Sequence, residues 1–340
     1  MAVKLKDIAR KVGVSPTTVS LVLNQRSDSR ISEDTRNKIL EAVKELGYQP
    51  TKPSKSIPIA IPPTIGFVIT DITNPFFTEL ANVVEDVASR YGYNIILGNT
   101  RESLKDETEL LKVLWRRRVD GLIIAPVDDQ ASNLQDFLNH EIPVVLVDRY
   151  LQTVETSAVI LDNVEGAYMA MEYLIRLGHT RIGIISGPQN ITTARERLEG
   201  CIKALESHGL EIDAKLIYDS HYTIEGGEQA TQELLSLAPP PTAIFSIAGV
   251  PTVGALLACK RQGVKIPADL SFIGFDDSKW AQLAHPPLTV VSQPVQEIGT
   301  DAVQLLIQLI QGWSKGETRK IVLKPELIIR ESCRQYAKKK

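Results

Sequence analysis

The chain has 340 residues, 43% of them hydrophobic and 23% charged, with a formal net charge of −3. That length exceeds one ordinary domain and is ample for well-packed cores. Three widely spaced cysteines (Cys201, Cys259, Cys333) and five scattered histidines make neither a disulfide framework nor a metal set, so no cofactor and no metal is expected.

In chain order, Lys6 to Val12 is a short amphipathic run, with Ile8, Ala9 and Val12 on one stripe and Gly13 as its stop. Ser15 sits at an N-cap with Pro16 at the first helical position, where its missing N–H costs nothing. Val19, Val22 and Leu23 supply the buried face of this second helix, and Thr17, Thr18, Ser20, Leu21 and Asn24 remain for its other sides. A third helix opens at Ser32, with Glu33 and Asp34 at its positive end. It runs through Ile39, Leu40, Val43 and Leu46 to Gly47. Helix, tight glycine turn and capped helix is the geometry that lays a second helix in a major groove. Residues 1–50 are therefore expected to bind double-stranded DNA.

Residues 51–64 form a connector rich in proline and free of acidic residues, expected to be extended and semi-rigid. Residues 1–55 hold 11 basic and 6 acidic side chains, against 27 and 35 in the remainder. A basic head on an acidic body suits a head that meets phosphate. The start of the chain, where Lys4, Lys6 and Asp7 interrupt the apolar residues, does not read as a signal peptide. The apolar stretch Ile57 to Ile69 is broken by Pro58, Pro62 and Pro63 and is too short to span a bilayer. A cytoplasmic location without membrane contact is the expectation.

From Ile65 onward short β-rich runs alternate with helical ones, the pattern of parallel sheets with crossover helices. Expected strands are 65–70, 94–98, 121–125, 144–147 and 158–161, then 181–186, 216–218, 243–246 and 271–275. Expected helices include 77–91, 105–117, 166–177 and 194–208. Two such series predict two doubly wound lobes. Asp71, Asp148, Asp162 and Asp276 each follow a predicted strand end, the place where open α/β sheets bind ligands, so both lobes are expected to feed one cleft. A turn or helix-cap role is the alternative for any one of them taken alone.

The residues that open the chain, IARKVGVSPTTVSLVLNQ at 8–25 and ISEDTRNKILEAVKELGYQP at 31–50, resemble the LacI/GalR family of bacterial transcription regulators. The resemblance continues through DITNPFF (71–77), RRVDGLIIAP (117–126), IPVVLVDR (142–149), LGHTRIGIISG (177–187), ARERLEG (194–200), IPADLSFIGFDD (266–277), PPLTVVSQP (286–294) and PELIIRES (325–332). It implies a helix-turn-helix head and a two-lobed α/β body like the type I periplasmic binding proteins, with parallel sheets. The lobes would be roughly 65–162 with 295–320, and 163–290 with 321–332. It further implies a homodimeric repressor on a pseudo-palindromic operator, controlled by a carbohydrate-like small molecule between the lobes. Matched residue by residue, Pro16, Thr17 and Leu21 would read base edges while Ser15, Thr18, Ser20 and Asn24 hold phosphates. Phe76, Phe77, Asp148, Arg149, Asp162, Arg195, Tyr222 and Asp276 would meet the effector.

Two positions depart from the family pattern. Where a hinge helix usually carries an Ala-Arg-x-Leu motif, this chain has Ser54, Lys55 and Ile57, bracketed by Pro53 and Pro58. Lys55 still suits phosphate and Ile57 a minor-groove wedge, but Pro58 disfavours helix at Ile57. A weak or absent hinge helix is expected, with DNA affinity less tied to effector state. In the cleft, Ala248 and Gly249 stand where the family has Asn-Asp, so the effector is expected to be unusual: a different sugar, a phosphorylated or acidic molecule meeting Arg195 and Arg149, or none. No nucleophile elbow, P-loop or dinucleotide fingerprint appears, so no enzyme is expected. Asp276-Asp277 reads as one cleft-facing group and one helix cap rather than a glycosidase pair. No apolar heptads follow Glu331, which argues against a C-terminal zipper. A solute-binding protein without DNA regulation is the competing reading, opposed by the DNA-reading head.

Overall fold

The computed structural model describes residues 5–23, 31–48, 62–127, 131–151, 154–312 and 318–336. The chain divides into two compact units, 1–61 and 62–340.

The first unit contains α1 (Leu5–Val12), α2 (Pro16–Leu23) and α3 (Glu33–Glu45). Ile8, Val19 and Ile39, one from each helix, are fully buried and are joined by Ala9, Val22 and Ala42. Gly13 closes α1 at φ +74°, a left-handed turn that a side chain would strain. The Ser15 hydroxyl accepts the Thr18 N–H at 3.1 Å, capping α2, and Ser32 does the same for Thr35 at 3.3 Å on α3. A Lys11–Glu45 ion pair ties α1 to the end of α3. Leu40, expected inside, is 42% exposed, because α3 packs through Ile39 and Ala42 instead.

The second unit holds two sheets. In the first lobe β1 (Thr64–Ile69), α4 (Pro75–Arg90), β2 (Asn94–Asn99), α5 (Leu104–Arg117), β3 (Gly121–Ile124), α6 (Gln135–Asn139), β4 (Val144–Val147) and β5 (Ser157–Leu161) follow one another. The second lobe has α7 (Asn163–Arg176), β6 (Ile182–Ser186), α8 (Thr192–Ser207), β7 (Ile217–Asp219), α9 (Ile224–Ser236), β8 (Ala243–Ser246), α10 (Gly249–Arg261), β9 (Ser271–Phe275), α11 (Lys279–Leu283) and β10 (Thr289–Ser292). The chain then returns with α12 (Val295–Ile310) and β11 (Lys320–Leu323), and crosses again for β12 (Glu326–Ile328). Strand orders are β11-β5-β4-β3-β1-β2 and β12-β10-β9-β8-β6-β7, parallel throughout except for the β10–β12 pair. Every residue of β3, β4, β6 and β9 is buried, as strands covered by helices on both faces require. Four apolar clusters, one on each face of each sheet, form the core.

The lobes are joined three times, at 162, 293–294 and 324–325. The last crossing corrects the expected division: Ile321–Leu323 pair with Val159–Leu161 in the first sheet, not the second. The helices also open one to three residues earlier than the apolar pattern suggests. Asn74, Ser103 and Asp162 cap α4, α5 and α7 with side-chain acceptors, and the first turn carries little of the buried stripe. No helix among the described residues is long and apolar enough to cross a membrane.

Candidate functional site

On the head, Ser15, Pro16 and Thr17 are exposed at the start of α2, while Thr18, Ser20 and Leu21 are half-buried. The opposite face of the same helix, Val19 and Val22, is locked in the core, so the exposed row has one orientation on the unit. The hydroxyls of Ser15 and Thr18 stand 2.9 Å apart. Asn24, Lys55 and Ile57, and with them the expected hinge departure, lie outside the described residues.

On the body, strand ends from both sheets enclose a cavity with an empty volume of about 520 Å3, solvent at its mouth included. The first lobe lines it with Asp71, Asn74, Phe76, Phe77, Glu102, Asp148 and Arg149, the second with Thr193, Arg197, Tyr222, Ala248, Val250 and Asp276, and Gln293 lies at a crossing between them. Asp148 and Asp276, directly after β4 and β9, hold left-handed backbone at φ +63° and +68°. Non-glycine residues adopt this conformation only where the surroundings demand it. Phe76 and Phe77 meet edge to face, with centroids 5.1 Å apart. The Tyr222 ring lies so close to Gly187 that a Cβ there would come within 2.5 Å of Cε1, and its hydroxyl is 3.3 Å from Thr193 Oγ1.

Charge in the cavity is arranged by lobe. Arg149, buried, donates to both oxygens of Glu102 at 2.8 and 2.6 Å, and its Nη1 also donates to the carbonyls of Pro126 and Val127. Burial alone would lower the Arg149 pKa, but the Glu102 carboxylate outweighs it and holds the guanidinium charged. Arg197 donates from Nε to Asn163 Oδ1 at 2.8 Å and from Nη1 to the Ile247 carbonyl at 2.9 Å. Its guanidinium stacks 3.7 Å from the Phe275 centroid. Asp276 accepts from Gln293 Nε2 at 2.7 Å. Burial raises its pKa, while Arg197, Gln293 and the Gly249 N–H pull the other way. Burial pushes the Asp148 carboxyl up to about 6; Arg197 and Arg149 offset part of this, and Asp276 and Glu102 add to it. Asn163 Nδ2 and the Tyr150 hydroxyl each donate to Glu196, at 2.9 and 2.7 Å, which bridges α8 to the end of β4 in the other lobe.

The four carboxylates lining the cavity outnumber its two guanidiniums, and Arg149 is committed to Glu102. An anionic ligand would meet net repulsion here, which removes the physical basis for the expected phosphorylated or acidic effector. Arg149 Nε and Gln293 Oε1 are buried without a hydrogen-bond partner. A neutral ligand bearing donors and acceptors would satisfy both.

Of the expected effector residues, Phe76, Phe77, Asp148, Arg149, Tyr222 and Asp276 come together in this cavity. Asp162 does not line it: its carboxylate accepts the Glu165 N–H at 3.0 Å as the cap of α7. Arg195 does not line it either, and donates to the Gln189 carbonyl at 3.0 Å. The arginine of α8 that does is Arg197. A signal for it was present, since Ala194, Arg197, Cys201, Ala204 and Leu205 share one buried helical stripe and Arg195 lies off it. Glu102 and Gln293, on connections between elements, carried no periodic signal. Asp277, expected to cap a helix, pairs with Arg330 instead. Ala248 bears no side-chain cap at the start of α10 and only its methyl faces the cavity.

Comparison with known proteins places both units. The profile described as "Bacterial regulatory proteins, lacI family" matches residues 4–51, and that of "Periplasmic binding proteins and sugar binding domain of LacI family" matches 62–337. The chain is 35% identical over 337 residues to the HTH-type transcriptional repressor CytR of Escherichia coli (strain K12), covering 98% of this chain and 97% of that protein. It is 34% identical over 333 residues to the repressor PurR of Photobacterium profundum, covering 97% and 98%. Among solved structures, the transcriptional regulator CelR–cellobiose complex aligns over 97% of this chain and 99% of its own, with a TM-score of 0.74 at 31% identity. A putative ribose operon repressor from Burkholderia thailandensis aligns over 78% and 98%, with a TM-score of 0.72 at 36% identity. Helix-turn-helix head, two-lobed parallel body and matches along nearly the whole length agree: the chain belongs to the LacI family of bacterial regulatory proteins, DNA-binding transcription repressors with an effector-binding domain.

Proposed function

We propose that this repressor acts in the cytoplasm as a homodimer on a pseudo-palindromic operator, and that a neutral, hydroxylated small molecule in the inter-lobe cavity controls it. It has no enzymatic role in this reading. Two heads would occupy half-sites about one helical turn (~10 bp) apart, presented by two-fold pairing of the bodies. Pro16, Thr17 and Leu21 meet base edges, Pro16 and Leu21 by apolar contact and Thr17 by hydrogen bonding. Ser15, Thr18, Ser20, Asn24 and Lys55 hold phosphates. The observation that carries the effector class is the buried acidic cavity whose unpaired donor and acceptor, Arg149 Nε and Gln293 Oε1, await a polar but uncharged partner. A ligand that binds one lobe arrangement better shifts the population of DNA-competent dimers.

The test is a gel shift on the DNA upstream of the chain's own gene at two salt concentrations, repeated with a panel of sugars, nucleosides and sugar phosphates. Sequence-selective retention that weakens steeply with salt, and that a neutral panel member alters, is expected. Retention no better than on random DNA would sink the operator reading, and a response to sugar phosphates alone would sink the neutral-ligand reading. Because Pro58 disfavours helix at Ile57, Ile57→Ala is expected to weaken operator binding by less than about threefold. A loss well beyond that would restore a wedging role to Ile57.

A further inference from the structure

We infer that the effector is bipartite: a hydroxylated ring in the buried cavity, joined to a planar apolar ring in an outer chamber beside it. The inference rests on the effector reading above and adds a second subsite to it. The outer chamber has an empty volume of about 760 Å3, solvent at its mouth included. It shares two wall residues, Glu102 and Tyr222, with the inner cavity. The two spaces therefore meet at one waist. One side of the waist is a carboxylate that Arg149 holds at both oxygens, and the other is a ring packed against Gly187.

Beyond the waist the chemistry of the walls changes. The inner walls are dominated by carboxylates and guanidiniums, whereas the outer chamber is lined by Leu104, Val127, Pro188 and Ile191. Leu104 is 40% exposed in the first turn of α5, where a polar residue is the usual occupant of a solvated position. An apolar side chain there gains stability only when something covers it. Asn190 and His221 add hydrogen-bonding groups to the lining, enough for a heteroatom on the second ring. Each chamber by itself lies within the roughly 300 to 1,000 Å3 of pockets that bury small ligands. Leu104 and Val127 belong to the first lobe, Pro188 and Ile191 to the second. A ring between them touches both lobes and so favours the arrangement in which they approach. The ligand class is a neutral glycoside with an aryl or heteroaryl aglycone; a monosaccharide alone would leave the outer walls in water.

Calorimetric titration of the full chain with matched pairs tests this: methyl against phenyl β-D-glucopyranoside, and methyl β-D-ribofuranoside against uridine and adenosine. In at least one pair the planar aglycone should tighten binding about tenfold or more, the worth of burying one ring. Leu104→Ser should remove most of that preference and Leu104→Met should keep it. Equal affinities within every pair, with the sugar itself bound, overturn the outer subsite and leave the inner-cavity reading standing. A preference that survives Leu104→Ser overturns its placement in this chamber. No binding of any probe, by a preparation that still retards its upstream DNA, overturns both.

Discussion

In the first lobe the cavity's charges are matched largely against one another. Arg149 takes both oxygens of Glu102, and Asp71 turns back to accept from the amide and hydroxyl of Thr73. In the second lobe the charges are held by neutral groups. Arg197 leans on Asn163, the Ile247 carbonyl and the face of Phe275, and Asp276 on the Gln293 amide. A charge held by neutral dipoles keeps most of its field for a ligand, whereas a charge closed in a bidentate pair does not. The second lobe is thus built as the reader of the ligand and the first as its cover, with Asp148 as the cover's one carboxylate left high in pKa.

The largest expected effect comes from removing the reader's centre. Arg197→Ala leaves Asn163 Oδ1 and the Ile247 carbonyl without their donor in a buried setting, and should destabilise the body by roughly 2–4 kcal/mol. It should also abolish any ligand-induced rise in Tm, since ligand stabilisation requires binding to the folded form. Chemical denaturation with and without ligand checks both, and a variant as stable and responsive as its parent would break the contrast between lobes.

Asp148 sharpens the contrast through pH. Its carboxyl titrates near 6 in the folded body rather than at the ordinary 3.8, so the folded form binds the proton more tightly. The stability this contributes is complete below about pH 4, declines as pH rises, and is gone above about pH 6. Asp148→Asn should abolish that decline. The stability of the variant relative to the parent should grow by on the order of 3 kcal/mol between pH 4 and 7, read from denaturation curves across that range. A flat difference would mean that Asp148 is solvated and not part of a buried cover.

The smallest of the three is Glu102→Gln. Its side chain is 35% exposed, so solvent screens part of the pair, and a loss of about 1–2 kcal/mol is expected. The telling readout is different: with Arg149 released, sulfate should raise the Tm of the variant more than that of the parent. Equal protection would show that the first lobe does not neutralise itself through this pair.

Much of this protein was legible before any coordinates, and unevenly so. The head was nearly complete in the sequence because its fold is local: Gly13, the Ser15 cap and the stripe of Ile8, Val19 and Ile39 lie within a few turns of one another. The parallel lobes were legible from strand and helix period alone. The cleft was legible in part. Post-strand position pointed equally to Asp148, Asp162 and Asp276, and only the path of the chain shows that Asp162 caps α7 while the other two face the cavity. The family resemblance pointed to Arg195, and helical phase, which the apolar stripe of α8 already carried, decides for Arg197.

Local period, caps and turn residues thus determined by themselves the elements, their order and the class of the two units, because those signals act over a few residues. Tertiary structure alone decided that Glu102 meets Arg149 across 47 positions, and that residues of both lobes wall one cavity and a chamber beside it. Strand order sets which connections end side by side, and burial then decides whether a charge placed there is paired, exposed or left for a ligand.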